Sequence, residues 1–468
     1  MALRDGRLLR QQCYLDGSWI DADNGAVEAI NNPANGHQLG TVPTLATAET
    51  RRAIAAAEKA LPGWRALTAK QRSALLRRWF ELCMANQEDL ATIMTLEQGK
   101  PLAESRGEIA YGSAFIEWFA EEGRRVYGDV IPANARDRRI VVLKEPIGVA
   151  AAITPWNFPN AMIARKAGAA LAAGCTMVIK PAPATPFSAL ALAELAERAG
   201  VPKGVLNIIT GDEIAIGREL CANPAVRKLS FTGSTEVGRI LIEQSAPTIK
   251  KLSLELGGNA PFIIFDDAHL DQAVTGVMAS KFRNAGQTCV CANRILVQDG
   301  IYDAFAARVR DAIGTLVVGD GVEEDVTIGP LIDAHALKKV EEHVADALSR
   351  GARLATGGKR HARGGCFFEP TLLLDVPLTA RLMKEKTFGP VAPLTRFKTE
   401  RDAIAMGNDT EYGLACYFYS RDIGRIWRVA EGLEYGMVGI NEGIISTEVA
   451  PFGGVKQSGI GREGSKYG

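Results

Sequence analysis

Apolar and polar positions follow a helical period through the first third of the chain. Ala, Leu and Ile recur every three or four residues, with Arg, Glu and Lys between them, and this spacing predicts amphipathic helices. The predicted helices cover residues 47–61, 68–85 and 102–127. The pair Asp16-Gly17 lies between short apolar runs and predicts a hairpin with a two-residue turn. Further on, a charged turn at 136–139 precedes a predicted strand at 140–143.

From residue 147 onward, short apolar runs alternate with amphipathic stretches. The apolar runs predict strands at 149–153, 175–179, 205–209, 228–231, 251–256, 260–264, 294–298, 367–376, 391–397, 415–420 and 436–441. The amphipathic stretches predict helices at 161–173, 186–199, 212–222, 234–245, 268–283, 300–316 and 334–350. Strands and helices that alternate in this way form parallel sheets through right-handed crossovers. We therefore predict an α/β fold with two α/β layers in tandem.

Length and composition narrow this picture. The 468 residues correspond to about three structural units at roughly 150 residues per domain. Lys and Arg total 54, as do Asp and Glu, so no broad charged surface for nucleic acid or an anionic membrane is expected. Eight cysteines are too sparse for a disulfide scaffold, and the first residues lack the apolar stretch of a secretory signal. The longest uncharged run, 146–164, contains Pro155 and Pro159, which predict a turn instead of a membrane helix. We expect a cytoplasmic protein without nucleic-acid or membrane partners.

One cysteine is distinguished by its neighbours. Cys289 follows Gly286, Gln287 and Thr288 in a predicted loop between a helix and a strand. Because such residues pack poorly in a core, we predict an accessible thiol that attacks a carbonyl carbon; a buried, inert thiol is the alternative. The five histidines lie in polar, surface-like stretches, which argues against a Cys-His hydrolase. The single pair of Cys289 and Cys291 lacks the second half of a zinc site, so no metal is expected.

Two more polar residues lie near the ends of apolar strands. Glu255 is embedded among Leu residues, where burial would raise its pKa toward the range useful for a general base. The alternative is a Glu that faces outward from an edge position. Asn157 follows one strand and precedes a helix, so its amide could donate to a developing oxyanion or cap the turn.

Two strand ends could receive a phosphate. Gly233 and Ser234 lie at a strand-to-helix junction, where free N–H groups and the helix dipole favour an anion. Their spacing matches neither the dinucleotide fingerprint nor a Walker loop. Lys180 ends another strand, at the edge where open α/β sheets bind ligands. A solvated lysine is the alternative there.

In this order, the segments resemble the aldehyde dehydrogenase superfamily, and its succinate-semialdehyde dehydrogenase branch in particular. The superfamily motifs are 154–159, 180–181, 231–234, 255–258, 286–289 and 388–390, and the branch is suggested by 280–291 and 451–468. The resemblance covers essentially the whole chain and implies two parallel-sheet α/β domains with a small β bridging or oligomerisation element. It assigns 1–122 and 146–254 to a cofactor-binding domain, 255–430 to a catalytic domain, and 123–145 with 449–468 to the bridging element.

The resemblance also implies the chemistry. Cys289 would attack an aldehyde to form a thiohemiacetal, while the Asn157 amide and the Cys289 N–H hold the oxyanion. Hydride transfer to a nicotinamide would leave a thioester, and Glu255 would activate the water that releases the acid. The implied cofactor contacts are Trp156, Asn157, Lys180, Gly233, Ser234, Leu256 and Phe388.

Three further positions match the residues that bind a distal carboxylate in the semialdehyde branch. They are Arg165, Arg283 and Ser446, and a guanidinium group suits a carboxylate better than an ammonium group does. Surface ion pairs are the alternative for the arginines. The resemblance thus predicts oxidation of succinate semialdehyde. The alternatives are glutarate semialdehyde or another ω-carboxy aldehyde and, in a different class, a non-catalytic binding protein on the same fold.

Two positions bear on the cofactor. Pro183 stands where NAD-preferring relatives commonly carry a Glu that accepts the adenosine ribose hydroxyls. Pro183 has no carboxylate that would repel a 2′-phosphate, and Lys180 can attract one. NADP is therefore predicted, with NAD as the alternative. Lys386 stands where relatives usually have a Glu that accepts the nicotinamide ribose hydroxyls. Its ammonium group can only donate, which puts cofactor positioning in question.

Two last expectations concern assembly and redox chemistry. The resemblance implies a homo-oligomer, a dimer or a tetramer, and relatives continue past the position of Gly468 with another strand used in oligomerisation. Cys289 and Cys291 are spaced so that oxidation could close a strained disulfide. The alternative is that Cys291 is a second, inert thiol.

Overall fold

The computed structural model describes residues 3–468 as an α/β protein with fourteen α-helices and twenty-one strands in that range. The helices are α1 (Thr47–Ala66), α2 (Ala69–Ala85), α3 (Gln87–Gln98), α4 (Leu102–Glu122), α5 (Ala161–Ala172), α6 (Pro186–Ala199), α7 (Glu213–Ala222), α8 (Thr235–Ser245), α9 (Leu270–Phe282), α10 (Tyr302–Ile313), α11 (Ala334–Ser349), α12 (Arg381–Lys384), α13 (Glu400–Asn408) and α14 (Ile423–Gly432). The strands are β1 (Cys13–Leu15), β2 (Ser18–Ile20), β3 (Val27–Asn31), β4 (Gln38–Pro43), β5 (Asp129–Ile131), β6 (Ile140–Val142), β7 (Val149–Ile153), β8 (Thr176–Lys180), β9 (Leu206–Ile208), β10 (Val226–Thr232), β11 (Lys251–Glu255), β12 (Ala260–Ile264), β13 (Ala292–Gln298), β14 (Arg353–Thr356), β15 (Thr371–Leu374), β16 (Val391–Phe397), β17 (Tyr412–Gly413), β18 (Ala415–Tyr419), β19 (Met437–Ile440), β20 (Val455–Lys456) and β21 (Gly459–Ile460).

The first large sheet has eight strands in the order β2-β1-β9-β8-β7-β10-β11-β21. Its central strands, from β9 to β11, run parallel, and antiparallel strands close both edges. Every residue of β8 is buried, as expected for a parallel strand that is covered by helices on both faces. The carboxyl ends of these strands meet at one edge, which aligns the loops that begin at 154, 181, 233 and 256.

The second large sheet has seven strands in the order β14-β15-β16-β13-β12-β18-β19. All its pairings are parallel except that of the edge strand β14. The loop between α9 and β13 belongs to this layer and carries Cys289. The prediction of an α/β fold with two parallel-sheet layers is confirmed.

The last part of the described chain connects the two layers. β20 pairs with β17, next to the second sheet, and β21 pairs with β11 at the edge of the first. A separate two-stranded hairpin, β5–β6, pairs with neither large sheet. Its strands expose Val130 and Val141, as well as Ile131 and Ile140.

Most predicted elements lie within a few residues of the observed ones, with two instructive differences. The whole helix α3 was missed because almost all its residues are buried, including Asp89, Glu97 and Gln98, so its polar and apolar residues do not separate into an exposed and a buried face. The helix predicted to end at 127 stops at Glu122 and continues only as a short 3₁₀ turn. The hairpin predicted at Asp16-Gly17 is present, with φ values of 50° and 73° at the two turn residues.

Two kinds of feature, a membrane-spanning helix and a metal-binding cluster, are absent from residues 3–468. In that range, no helix combines the length and apolar character needed to cross a bilayer. Nor do three or more His, Cys, Asp or Glu side chains of that range converge in a way that could hold a metal ion. One histidine departs from the surface placement expected for all five, because His343 on α11 is fully buried.

Candidate active site

The segment that carries Cys289 has an unusual backbone. Asn284, Ala285 and Gly286 adopt left-handed conformations in succession, with φ values of 51°, 53° and 76°. This conformation is costly for residues with a Cβ atom and persists only where the surroundings enforce it. A Cβ atom at Gly286 would lie 2.1 Å from the Gly389 carbonyl oxygen, so glycine permits close packing here. The loop 283–291, which we call the nucleophile loop because a nucleophile is predicted at Cys289, thus rests directly against the Phe-Gly-Pro segment at 388–390.

Asn284 holds this loop in place from the inside. Its Nδ2 donates to the carbonyl oxygens of Asn157, at 3.1 Å, and Gln287, at 3.2 Å. Its Oδ1 accepts from Gln98 Nε2 at 3.0 Å, and its main-chain N–H donates to Glu104 at 2.8 Å. Asn284 therefore ties the nucleophile loop to the Asn157 loop and to α3 and α4, a role that the sequence did not suggest.

Asn157 is buried beside the same loop. Its Nδ2 donates to the Gln287 carbonyl at 2.9 Å, which leaves the second amide hydrogen of that nitrogen for another acceptor. Its own carbonyl accepts from Lys100 Nζ at 2.7 Å. Because both its side chain and its main chain are fixed, the second amide hydrogen is held in a defined direction beside the loop of Cys289.

Lys100 and Glu108 form a buried pair that supports Asn157. Lys100 Nζ lies 2.5 Å from Glu108 Oε2. The other Glu108 oxygen accepts from the main-chain N–H groups of Asn160 and Ala161, at 3.0 and 3.1 Å, where α5 begins. Sequence reasoning missed this pair because nothing local shows that these two charges, eight residues apart, both turn inward.

Glu255 ends β11 and is buried. Burial, and after it the negative charge of Glu463, raise the pKa of Glu255 well above its usual range. One carboxylate oxygen, Oε2, has no hydrogen-bond partner among the described residues. An unengaged carboxylate with a raised pKa suits a general base that waits for water.

Glu463 lies between Glu255 and two cations of α5. Its carboxylate pairs with Arg165 Nε at 2.5 Å and forms a second ion pair with Lys166. Lys166 also donates to Thr232 Oγ1 at 2.7 Å. All three charged side chains are buried. Arg165 thus has a carboxylate partner inside the protein, shared with Lys166, which the sequence could not show because Glu463 lies almost 300 residues away.

Cys289 and all three residues predicted to bind a carboxylate line one small cavity. Arg165, Arg283 and Ser446 share it with Tyr111, Phe158, Met162, Thr288, Val290 and Phe452. The Arg283 guanidinium lies 4.8 Å from the centre of the Phe158 ring. No carboxylate of residues 3–468 forms an ion pair with Arg283, so its charge, unlike that of Arg165, is available to a ligand.

Except for Phe388, which precedes β16 of the second sheet, the predicted cofactor residues lie along the carboxyl edge of the first sheet. Trp156 and Phe388 meet edge to face, with their ring centres 5.5 Å apart. The Ser234 hydroxyl caps α8 by accepting from Val237 N at 3.2 Å. A Cβ atom at Gly238 would lie 2.6 Å from Leu256, so the first turn of α8 packs closely on that residue. The Thr154 hydroxyl is buried without a hydrogen-bond partner among the described residues, which fits a groove that receives a polar ligand.

Lys180 has a neighbour that the sequence argument did not foresee. Its buried ammonium group lies 3.3 Å from Glu213 Oε2, at the start of α7. The Glu213 side chain is 67% exposed and can turn into solvent when an anion approaches Lys180. Pro183, three residues after Lys180, is half-buried and contributes no charge.

The two cysteines of the nucleophile loop differ in surroundings. Cys289 is half-buried, and burial raises the pKa of its thiol. Cys291 is fully buried, with its sulfur 3.3 Å from Lys281 Nζ. All eight cysteines are free thiols.

The fold and this site are those of a dehydrogenase that acts on aldehydes. The chain belongs to the aldehyde dehydrogenase family, whose model matches residues 19–468, and it is an oxidoreductase. It is 67% identical over its full length to the NADP(+) succinate-semialdehyde dehydrogenase of Escherichia coli K12, covering 97% of that protein. It is 66% identical over its full length to a glutarate-semialdehyde dehydrogenase of Pseudomonas aeruginosa, again covering 97%. The crystal structure of an E. coli NADP-dependent enzyme matches with a TM-score of 0.99 at 66% identity, over 100% of this chain and 97% of that one. The family predicted from the motifs is confirmed.

Proposed function

We propose that this enzyme oxidises succinate semialdehyde to succinate, with NADP as the hydride acceptor. The observation that carries the proposal is the cavity in which Cys289 shares its walls with Arg283 and Ser446. A cation without a carboxylate partner, in the same small pocket as the proposed nucleophile, favours a short aldehyde with a carboxylate at its far end. The name of the E. coli relative agrees with this substrate and cofactor.

In this proposal Cys289 attacks the aldehyde carbon, and the sulfur–carbon bond forms as the carbonyl oxygen becomes an oxyanion. The free amide hydrogen of Asn157 and the Cys289 N–H stabilise that oxyanion. A nicotinamide bound beside Cys289 would supply the acceptor for a hydride from this carbon, and loss of that hydride would leave a thioester on Cys289. Glu255 then takes a proton from a water molecule that attacks the thioester carbon. The acid is released and Cys289 regains its thiolate.

The residues along the first sheet support NADP. Lys180 and the start of α8, with Gly233 and Ser234, provide positive charge and N–H groups for phosphates. Trp156, Leu256 and Phe388 provide apolar contacts near the ends of the strands. Pro183 leaves no carboxylate at its position to oppose a 2′-phosphate, and Glu213 is exposed enough to move aside.

Glutarate semialdehyde is the second candidate, because the P. aeruginosa relative at 66% identity is a glutarate-semialdehyde dehydrogenase. One additional methylene group changes binding by only about 1–3 kcal/mol. The same residues could therefore serve both substrates, and the two differ in how well the chain length fits between Cys289 and Arg283.

The deciding experiment measures reduced-cofactor absorbance with C4 and C5 ω-carboxy aldehydes and with uncharged aldehydes of the same length, each with NADP and NAD. We expect the highest kcat/KM for succinate semialdehyde with NADP. A higher kcat/KM for an uncharged aldehyde would refute the substrate class. An equal or higher value with NAD would refute the cofactor preference.

Arg283→Met should raise KM for the ω-carboxy aldehyde about 10–100-fold, because a charged hydrogen bond contributes about 1.5–3 kcal/mol. The kcat/KM for an uncharged aldehyde should change little. Arg308→Met is the matched control, because Arg308 pairs with Asp271 on the surface. Equal losses for charged and uncharged aldehydes would show that Arg283 does not bind the carboxylate.

We also propose a homo-oligomer that covers the β5–β6 hairpin. An isolated two-stranded hairpin is marginally stable in water, and the exposed Val130 and Val141 are typical of a surface that another chain covers. Light scattering should give a mass that is a multiple of 50.1 kDa, and a single-chain mass would contradict the proposal.

The eight free thiols support a reducing compartment such as the cytoplasm.

A further inference from the structure

Lys386 faces the nucleophile loop, whereas the charged residues before it face elsewhere. Lys384 pairs with Asp409 at the surface, and Glu385 contacts Arg381 and His343. Lys386 Nζ lies 3.3 Å from the Cys289 carbonyl oxygen and 4.6 Å from the centre of the Phe388 ring. The side chain therefore contacts the main chain of the residue that performs the proposed attack.

The buried position of Thr387 helps to direct Lys386 inward. The Thr387 hydroxyl lies 3.1 Å from His343 Nδ1, and Nε2 of the same ring lies 3.2 Å from Glu385 Oε2. The residues on both sides of Lys386 are thus held by one buried histidine of α11. Phe388, which follows, has a left-handed φ of 58°, so the chain turns sharply at this point.

Lys386 is a cation without a carboxylate partner. No carboxylate of residues 3–468 forms an ion pair with it, whereas Arg165 pairs with Glu463 at 2.5 Å. The other groups that face Lys386 are the thiols of Cys289 and Cys291 and the ammonium groups of Lys339 and Lys281. Burial and the two neighbouring lysines disfavour its charge, while the two thiols favour it as they ionise.

The groups that face the Cys289 thiol shift its pKa in opposite directions. Burial raises the pKa of Cys289, Glu255 adds to this effect, and Lys386, Arg165 and Arg283 oppose it. The phenols of Tyr111 and Tyr417 also face the thiol and stay neutral, because burial raises the pKa of each. Of these three positive charges, that of Lys386 lowers the pKa of Cys289 the most.

We propose that Lys386 is a positioning residue that holds the main chain at Cys289 and favours ionisation of its thiol through an uncompensated positive charge. This inference rests on the proposed role of Cys289 as the nucleophile. Burial lowers the pKa of Lys386 to about 8. Its charge is therefore present at neutral and lower pH and is lost as the pH rises through about 8. Its electrostatic stabilisation of the Cys289 thiolate therefore decreases over the same pH range.

The test is the rate of iodoacetamide alkylation of Cys289 in the enzyme without substrate or cofactor, between about pH 5.5 and 9.5. Peptide mass spectrometry with fragmentation separates Cys289 from Cys291 and from the half-buried Cys366. Four variants are compared with the parent chain: Lys386→Met, Lys386→Gln, Lys386→Arg and the matched control Lys384→Met. Lys384 lies two residues away and carries the same charge, but it faces Asp409.

Lys386→Met should slow alkylation of Cys289 about tenfold at pH 7, where Lys386 of the parent is charged, and the difference should shrink as the pH rises above about 8. Lys386→Gln keeps a donor for the Cys289 carbonyl but has no charge, so the same slowing at pH 7 is expected. Lys386→Arg should keep the alkylation rate of the parent at pH 7 because it keeps the charge. Lys384→Met should also match the parent.

An unchanged alkylation profile in both Lys386→Met and Lys386→Gln would overturn the proposal, as would an Arg variant that behaves like the Met variant. If Gln alone restores the parent profile, the hydrogen bond acts instead of the charge, and the electrostatic role is refuted. Thermal unfolding shows whether each variant is folded, and the Gln and Arg variants keep the test decisive if Met unfolds the loop. The measurement needs neither aldehyde nor cofactor, so its outcome is independent of the proposed dehydrogenase activity.

Discussion

Cys289→Ala is expected to abolish aldehyde oxidation, with a fall in kcat of about 10⁴-fold or more, as is usual when a covalent nucleophile is removed. Cys289 alone among the eight cysteines lines the cavity that holds Arg283 and Ser446. Without its sulfur no thioester can form, and the remaining groups can only bind the aldehyde. The measurement is NADPH absorbance with succinate semialdehyde, with active-site concentration determined by alkylation.

The control for this prediction is Cys366→Ala. Cys366 is also a half-buried thiol, but it lies outside the cavity, and its carbonyl only accepts from the Leu331 N–H. Its variant should retain kcat within about twofold, as is usual for substitutions away from a functional site. If the Cys289 variant kept more than a small fraction of the parent activity while Cys366→Ala lost it, the nucleophile would have been assigned to the wrong thiol. If both retained activity, a covalent mechanism would be refuted.

Glu255→Gln is expected to lower kcat about 10²–10⁴-fold, the usual contribution of a general base. The amide cannot accept the proton of the attacking water, so the acyl-enzyme should accumulate. Rapid-mixing experiments should then show a burst of one NADPH per active site, followed by a slow steady rate. The exposed Glu243, on α8, provides the matched control Glu243→Gln.

The pH dependence gives an independent measure of Glu255. Burial and the charge of Glu463 raise the pKa of Glu255, and only the deprotonated carboxylate can act as a base. The rate of thioester hydrolysis should therefore rise as the pH increases through this raised pKa. In Glu255→Gln this rise should disappear and leave only the slow attack of water or hydroxide. A variant with the same pH profile and the same burst size as the parent would exclude Glu255 as the base.

Much of the framework follows from local sequence. The period of apolar residues predicted most of the parallel strands and their crossover helices, because side-chain periodicity reflects which face of an element is buried. The order of the strands then brings the ends that carry Asn157, Lys180, Gly233 and Glu255 to one edge of one sheet. Helix α3 was not predicted, because a helix that is buried on nearly all sides shows no regular alternation of apolar and polar residues.

The family was also determined by sequence alone, since short motifs around Asn157, Glu255 and Cys289 occur in a specific order. Each of these motifs reflects a local requirement, such as a glycine where the backbone packs closely at Gly286. The convergence of Arg165, Arg283 and Ser446 on the Cys289 cavity required the three-dimensional structure, although the residues themselves had been predicted.

Only the tertiary structure decided which of the charged side chains at the site have a partner of opposite charge. Arg165 and Arg283 look equivalent in sequence, yet Arg165 pairs with Glu463 and Arg283 has no carboxylate partner among residues 3–468. The sequence places Lys386 where relatives usually have a Glu that contacts the cofactor, and only the fold shows that its ammonium group reaches the Cys289 carbonyl. The physical reason is that the free energy of a buried charge depends on partners brought near it by folding. These partners are separated from it by hundreds of residues or by one turn of a loop, and no local pattern encodes the distance between them.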